Sequence, residues 1–233
     1  LGALGNDAGF AFGLAQFSRL KELLLRAMEV ALGERYLLNA VTPGGTRLDL
    51  TASGAIQLRR CLLDIAREAL TLESIYNDHA GLRDRFTGAG TVEPRLAAQL
   101  GLIGLAGRAS AQALDLRCDL PIDPYLQLSP KMVLHQAGDV AARVAVRFDE
   151  LKESCRLVHR ILEGLPAGPH WREVAIPPAG TTGIGLAEGW RGPVLVALEA
   201  GDGGAIRRCH AHDPSWQNWP VLEHAIIGNI VPD

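Results

Sequence analysis

The sequence contains no hydrophobic run long enough to cross a lipid bilayer, which takes about 18 uncharged apolar residues. Its best candidate is the stretch 97–107, which has only 11 residues, includes Gln99 and is broken by three glycines. The chain also begins without an initiator Met and without the basic segment that opens a signal peptide. We therefore expect a soluble chain that is a piece of a longer protein.

Cysteine is scarce, and none of the four cysteines forms a C-x-x-C pair. This spacing excludes a locally encoded zinc ribbon, redox dithiol or iron–sulfur loop. Cys61 and Cys155 fall on apolar helical faces, which predicts buried thiols in a reducing compartment. The G-x-S-x-G and H-E-x-x-H motifs of serine hydrolases and metalloproteases are also missing.

Neither sign of charge dominates. The chain has 23 basic and 26 acidic residues, a net charge of −3, and its Lys and Arg residues are scattered. This pattern predicts no nucleic-acid partner and no polybasic membrane anchor. With 233 residues, 48% of them hydrophobic, the chain is suited to one packed domain or to two closely packed lobes.

Apolar residues that recur every three or four positions predict three long helices. We place them at 6–32, 53–77 and 139–163. Gly33 is suited to end the first helix in a left-handed conformation, and Asp139 is suited to cap the start of the third. The third helix has the clearest stripe, which we expect to be buried against the first or second helix. Its members are Val144, Phe148, Leu151, Cys155, Val158 and Leu162.

Glycine and proline interrupt the chain between the helices. The segment 42–46 predicts a turn, because it contains one Pro and two Gly residues. The stretch 80–107 is rich in glycine and predicts one short helix near 95–100. The stretch 108–136 contains three prolines, which exclude long helices and predict an ordered irregular connection.

After Pro166 the pattern changes to short strand-like runs. The runs 194–198 and 205–209 flank a glycine-rich turn and predict a hairpin. A short apolar helix is expected at 221–227, with Pro220 at its first position. The predicted fold class is therefore α+β, mainly α, with long packed helices and a small C-terminal β-hairpin lobe.

We expect one domain over 1–233. Within it we place a helical core over 1–164 and a lobe containing the hairpin and the terminal helix over 165–233.

Two segments are weak candidates for ligand sites. The glycine-rich stretch 180–189 lacks a preceding strand, a following helix and the G-x-G-x-x-G spacing, so a phosphate site is not predicted there. On a strand, His210 and His212 point to the same side, and Cys209 and Asp213 are further potential zinc ligands. No second His/Cys pair completes a tetrahedral site. The simpler interpretation is that this segment is the polar end of a strand, with Asp213 capping a turn.

Seven motifs occur in an order that resembles one family. The family is the large-subunit superfamily shared by nickel–iron hydrogenases and the D-type subunit of NADH–quinone oxidoreductase (complex I). The tail 213–233 looks most like the membrane-bound, energy-converting branch of the formate hydrogenlyase type. The resemblance covers essentially the whole chain, which looks like a central fragment of the large subunit. The motifs lie at 1–7, 33–45, 107–110, 115–117, 138–143, 188–192 and 213–219.

This resemblance implies an oxidoreductase subunit, peripheral on the inner, cytoplasmic face of the cell membrane. It implies as a partner an iron–sulfur small subunit similar to the B-type subunit of complex I, together with other subunits of a membrane-bound complex. Electrons would pass through that neighbour toward reduction of protons or of quinone. The alternative is a metal-free, catalytically degenerate homologue that acts as a structural or interaction subunit.

The resemblance also bears on cofactors. In the family, two C-x-x-C pairs outside the matching motifs hold the nickel–iron centre, so we expect this fragment to bind no cofactor and to be inactive alone. The parent complex would contain a nickel–iron centre or quinone, with an iron–sulfur cluster in the partner subunit. Relatives with a quinone site usually have His where this chain has Leu37, and Arg where it has Thr42.

Site residues follow from the matching motifs. Asp7 matches an acid that faces the active cavity, and an acid on a largely apolar helix can relay protons. Alternatively, Asn6 and Asp7 are polar residues favoured in the first turn of a helix. We expect Trp219 to be buried and Trp190 to be more exposed. The resemblance assigns interface or structural roles to Arg108, Asp115, Arg117, Glu188, Arg191, Asp213, Trp216 and Trp219. For Arg108 and Arg117 we favour buried pairing with carboxylates.

We predict that the purified 233-residue chain contains no nickel and evolves no hydrogen. The reason is that its four scattered cysteines include no C-x-x-C pair. Elemental analysis and a hydrogen-evolution assay check this, and stoichiometric nickel would contradict it.

Overall fold

The computed structural model describes residues 1–230, which form two compact units that interleave along the chain. The first unit comprises 1–82 and 151–175, and the second comprises 83–150 and 176–230. The last three residues of the predicted lobe 165–233, which also end the tail matched to the family, lie outside the described residues. No helix among the described residues is long and apolar enough to cross a membrane.

The N-terminal part of the first unit contains two helices where the sequence predicts one. Helix α1 (Gly2–Asp7) ends before a break at Gly9, whose φ of 80° is left-handed, and helix α2 (Ala11–Leu32) follows. The prediction of a single helix over 6–32 is therefore wrong at its start. The end of α2 is as predicted, because Gly33 adopts the left-handed conformation.

Tyr76 holds the two N-terminal helices together. Its hydroxyl donates a hydrogen bond to the Leu1 carbonyl at 3.1 Å, and its ring meets Phe10 edge-on. Gly5 and Gly13 make this possible, because a Cβ at either position would lie only 2.3 or 2.2 Å from the Tyr76 oxygen. Burial raises the pKa of Tyr76 to about 12.

A short hairpin with two residues in each strand comes next, and the second long helix follows it. Strands β1 (Val41–Thr42) and β2 (Gly45–Thr46) pair antiparallel around the predicted turn. Helix α3 (Ala52–Asp78) begins at Thr51, whose hydroxyl accepts the Gly54 N–H at 3.1 Å. Its buried apolar stripe consists of Leu58, Leu62, Ile65, Ala69 and Leu72.

Short helices fill the region in which the sequence predicts weak or broken patterns. They are α4 (Ala80–Phe86), α5 (Pro94–Leu100), α6 (Gly104–Ala109), α7 (Leu116–Asp119) and α8 (Tyr125–Leu128). The proline-containing stretch 108–136 thus has no long helix, as predicted, and α5 confirms the helix predicted near 95–100.

Helix α9 (Val140–Glu163) begins at Asp139, whose carboxylate accepts the Ala142 N–H at 2.8 Å. The predicted N-cap is therefore confirmed. The predicted stripe is buried only at Val144 and Phe148. Its other members, Leu151, Cys155, Val158 and Leu162, are half-buried.

The part of α9 that belongs to the first unit lies beside α3. Lys152 pairs with Glu73 at 3.2 Å, and Glu163 pairs with Arg59 at 2.9 Å. These ion pairs are formed by residues outside the stripe, so the burial of the stripe against the first or second long helix stays a prediction.

The second unit contains a three-stranded antiparallel sheet in the order β3–β4–β5. Its strands are β3 (Thr182–Gly189), β4 (Gly192–Ala200) and β5 (Ile206–His212). The predicted hairpin corresponds to β4 and β5, whereas β3 lies in the glycine-rich stretch 180–189, where no strand is predicted. Gly183 and Gly185 hide the alternation of that strand. The α+β, mainly helical fold class is confirmed, and the lobe boundary at residue 164 stays a prediction.

Helix α10 (Ser215–Ala225) starts six residues before its predicted position, so the placement of Pro220 at the first helical position is wrong. The Asp213 carboxylate accepts the Ser215 N–H at 2.8 Å in the turn that precedes the helix, and Pro214 occupies the N-cap position. Val221 of this helix packs in an apolar cluster with Val92, Ala97 and Leu102. A second cluster joins α6 to α9 through Leu105, Ala109, Ala142 and Val146.

We predict that Phe148→Ala lowers the free energy of unfolding by about 3–5 kcal/mol, because a large buried ring leaves a cavity. Phe148 is 2% exposed, whereas the control residue Phe12 is 47% exposed. Chemical denaturation of both variants measures the difference. A loss below about 1 kcal/mol for Phe148→Ala would show that its ring does not fill the core.

Candidate functional site

The centre of the candidate site is the buried guanidinium of Arg108, which is 1% exposed. It donates to the Glu150 carboxylate at 2.7 Å, to the Glu188 carboxylate at 2.9 Å and to the Leu114 carbonyl at 2.8 Å. These partners lie on α9, on β3 and in the loop before α7. One side chain thus joins three separate stretches of the second unit.

A second buried pair adjoins the first. Asp115 binds Arg117 through both carboxylate oxygens, at 2.9 and 2.6 Å. The same carboxylate accepts the Arg117 N–H at 3.0 Å and so caps α7. The Leu116 N–H donates to Glu188 at 3.2 Å, which links the two pairs. The structure therefore brings together four residues selected by the resemblance: Arg108, Asp115, Arg117 and Glu188.

Burial and neighbouring charges shift the pKa values of this network in opposite directions. Burial alone would lower the pKa of Arg108, but Glu150 and Glu188 outweigh it and raise that pKa. For Asp115, burial is outweighed by the hydrogen bonds and charge of Arg117, which lower its pKa. For Glu188, burial raises the pKa and Arg108 offsets it only in part. Glu188 shares the Arg108 guanidinium with Glu150, so the charge of Glu188 is less fully compensated than that of Asp115.

An open cleft of about 340 Å³ lies elsewhere in the second unit, between α6, α9, α10 and the turn from β3 to β4. Trp190 and Trp219 line it and are 61% and 65% exposed. The prediction of a buried Trp219 is therefore wrong, because α10 turns Val221 rather than Trp219 into the core. The expected exposure of Trp190 is confirmed. The apolar wall of the cleft includes Val92, Leu102, Leu105, Val221 and Leu222.

Three arginines also line this cleft. Arg143 donates to the carbonyls of Gly90 and Gly138 at 3.0 and 2.7 Å. Arg147 donates to the Arg143 carbonyl at 3.4 Å. The Arg191 guanidinium stacks 4.1 Å from the centre of the Trp190 ring.

Asp213 and Trp216 lie at the start of α10. The hydrogen bonds from Ser215 lower the pKa of Asp213. The ring of Trp216 meets His212 and His210 edge-on, at 5.1 and 6.0 Å between centres. The two histidines thus share one side of β5, as predicted. They contact an indole, and no third ligand joins them in the described part of the chain.

Asp7 is the last residue of α1 and is exposed. The interpretation of Asp7 as a first-turn acid is therefore wrong, because the helix begins five residues before it. The catalytic role of Asp7 stays a prediction.

Comparison with known proteins then identifies the family. Residues 7–182 match the family described as the 49 Kd subunit of respiratory-chain NADH dehydrogenase. The chain belongs to this family. The match covers more than half of the sequence and confirms the resemblance.

Relatives of this 49 Kd family member span hydrogenases and NADH–quinone oxidoreductases. Formate hydrogenlyase subunit 5 of Escherichia coli is 30% identical over all of this chain, which covers 41% of that protein. The D-type subunit of NADH-quinone oxidoreductase from Clostridium beijerinckii is 28% identical over all of this chain, which covers 64% of that protein. The carbon monoxide-induced hydrogenase of Rhodospirillum rubrum is 27% identical over 99% of this chain. The chain therefore spans about two fifths to two thirds of the length of these relatives.

A solved structure shares the fold. A chain of the archaeal membrane-bound sulfane sulfur reductase, a respiratory membrane complex, superposes on all of this chain with a TM-score of 0.90. The two sequences are 22% identical, and the match covers 65% of that chain. The likeness shows that the two chains share one fold.

The resemblance implies a nickel–iron centre in the parent complex, but the donors described in this chain do not fit such a centre. Within residues 1–230, no group of three or more His, Cys, Asp or Glu side chains is placed to hold a metal ion. Cys61, Cys118 and Cys155 are half-buried at separate places, and burial raises the pKa of each thiol. The cofactor expectation itself stays a prediction.

Glu150 as a partner of Arg108, and Arg143 and Arg147 as residues of the cleft, are not predicted from the sequence. A signal for the arginines was present, because they lie four residues apart on one helix and therefore share a face. A signal for Glu150 was absent, because a single acid on a long helix looks like any solvent-exposed residue.

We predict that the two buried acids have opposite effects on stability as the pH changes. The pKa of Asp115 lies below its ordinary value of 3.8, so its contribution is full above that pH and is lost as the pH falls. The pKa of Glu188 lies above its ordinary value of 4.5, so its contribution is full below that pH and declines as the pH rises. Denaturation of wild type, Asp115→Asn and Glu188→Gln at several pH values measures both.

The difference between wild type and Asp115→Asn should grow as the pH rises through 3.8, and that between wild type and Glu188→Gln should shrink above 4.5. If the stability difference from wild type changed with pH in the same way for both variants, burial would not be the dominant influence on the pKa of Glu188.

Proposed function

We propose that this chain is the central part of the large subunit of a membrane-associated hydrogenase or complex-I-like oxidoreductase. In this role it contacts a neighbouring iron–sulfur subunit, through which electrons pass toward protons or quinone. Two electrons and two protons yield one H₂ molecule, or convert one quinone to its quinol. The observation that carries the proposal is the match of residues 7–182 to the 49 Kd family.

The relatives supply the context. Their names assign them to hydrogenases, NADH–quinone oxidoreductases and a respiratory membrane complex. We therefore propose a multi-subunit complex at the membrane, with this chain peripheral on the cytoplasmic face. The partner that best suits the family is an iron–sulfur small subunit similar to the B-type subunit of complex I.

The network around Arg108 supports this role physically. A docking surface binds more tightly when it is already ordered, because less conformational entropy is lost on association. Arg108, Glu188 and Asp115 fix the loop before α7 and the end of β3 through charge-assisted hydrogen bonds. We propose that these residues are positioning residues for the partner surface and do not touch reacting atoms.

Exposed indoles supply candidate contacts. Trp216 is 57% exposed on α10, and tryptophan is enriched among the residues that dominate binding energy at protein interfaces. Trp171, which is 49% exposed in the other unit, provides a matched control with the same side chain.

We predict that Trp216→Ala weakens, by about tenfold or more, the assembly of the full-length protein with its co-expressed iron–sulfur partner. The melting temperature of the Trp216→Ala variant should stay within a few degrees of wild type, because an exposed ring contributes little to the core. Affinity co-purification and thermal denaturation measure the two effects, with Trp171→Ala as the control.

Unchanged assembly in both variants would remove Trp216 from the interface. If the full-length protein assembles normally but its complex transfers no electrons, the degenerate structural homologue becomes the correct function.

A further inference from the structure

The arginines that line the cleft in the second unit give it a positive charge that the neighbouring acids do not fully neutralise. Arg147 and Arg191 line it, and neither forms an ion pair with any residue of the described chain. Arg191 stacks on the Trp190 ring, and Arg147 lies 5.8 Å from the centre of the same ring.

Glu150 and Asp213 are close enough to interact with Arg147 and Arg191 through charge, but they form no ion pair with them in the described chain, and their hydrogen bonds are made to other groups. Glu150 accepts the Arg108 guanidinium at 2.7 Å. Asp139 accepts the backbone N–H groups of Ala142 and Gly88, each at 2.8 Å. Asp213 accepts the Ser215 N–H at 2.8 Å. Each carboxylate therefore has donors of its own.

The positive charge is also partly removed from water. Burial lowers the pKa of Arg147, the charges of Arg143 and Arg191 lower it further, and Glu150 offsets this only in part. A guanidinium in partly dry surroundings without a carboxylate partner destabilises the fold. An anion supplied from outside the chain would reverse that cost.

We propose that this cleft binds a small organic carboxylate with a flat apolar body. Guanidinium groups match the planar geometry of a carboxylate, and Arg147 and Arg191 are the groups that would receive it. The indoles of Trp190 and Trp219, with Leu222, provide an apolar wall for the rest of the molecule. Ser215 and Asn218 add polar groups that can fix its orientation.

The size of the cleft favours a small molecule over a segment of another protein. Its volume of about 340 Å³ lies within the range of small-molecule pockets, at the lower end. The proposal is independent of the redox role, since it uses only the charges and shape of the second unit.

Calorimetric titration of the full-length protein with 2-naphthoate tests the proposal, with the neutral isostere 2-naphthamide as the matched ligand. We expect 2-naphthoate to bind and 2-naphthamide to bind at least about tenfold more weakly, because a charge-assisted hydrogen bond is lost. Arg191→Gln and Arg147→Gln should each lower the affinity for 2-naphthoate by about tenfold, while Arg147→Lys should retain part of that affinity.

Arg208→Gln is the control variant, because Arg208 is exposed on β5 and is absent from the cleft lining. Melting curves accompany each titration, and the exposed Arg191 keeps the test valid if Arg147→Gln is unstable. Equal binding of both naphthyl ligands would overturn the proposal in favour of a purely apolar cleft.

Two further arms separate other sources of negative charge. Inorganic phosphate that competes as well as 2-naphthoate would show a simple anion site and overturn the need for an apolar body. Arginine-dependent binding to phosphatidylglycerol vesicles, but not to phosphatidylcholine vesicles, without 2-naphthoate binding would assign the cleft to a lipid surface instead.

Discussion

The order of the second unit depends on one buried guanidinium. Arg108 joins α9, β3 and the loop before α7, and each bond replaces water that the fold excludes. Removal of one partner from such a network leaves an unpaired buried charge, which is far more costly than the net gain from forming the pair. The geometry of the loop and the strand end therefore depends on a charge that cannot be neutralised within the physiological pH range.

Periodicity in the sequence was sufficient to predict the long helices. The stripe of α3 and the caps at Thr51 and Asp139 are local features, so they can be identified without knowledge of tertiary contacts. Strand β3 and the start of α10 could not be identified in this way. Gly183 and Gly185 conceal the former, and the latter begins after the turn at Asp213 and Pro214, so Pro220 lies inside the helix.

The candidate site was partly predictable for a different reason. Arg108, Asp115, Arg117 and Glu188 came from a family resemblance, and the structure places them in one network. Their pairing with Glu150, and the convergence of Arg147 and Arg191 on one cleft, depend on contacts between residues far apart in the chain. Spacing along a sequence contains no information about such contacts.

Helix α9 is divided between the two units at residues 150 and 151, and each unit consists of two separate stretches of chain. Neither unit can therefore be inherited, deleted or exchanged as one continuous gene segment. Recombination at any single point would divide at least one hydrophobic core between two parents. Variation in this part of the protein is consequently expected to accumulate by substitution and by loop insertion rather than by shuffling of modules.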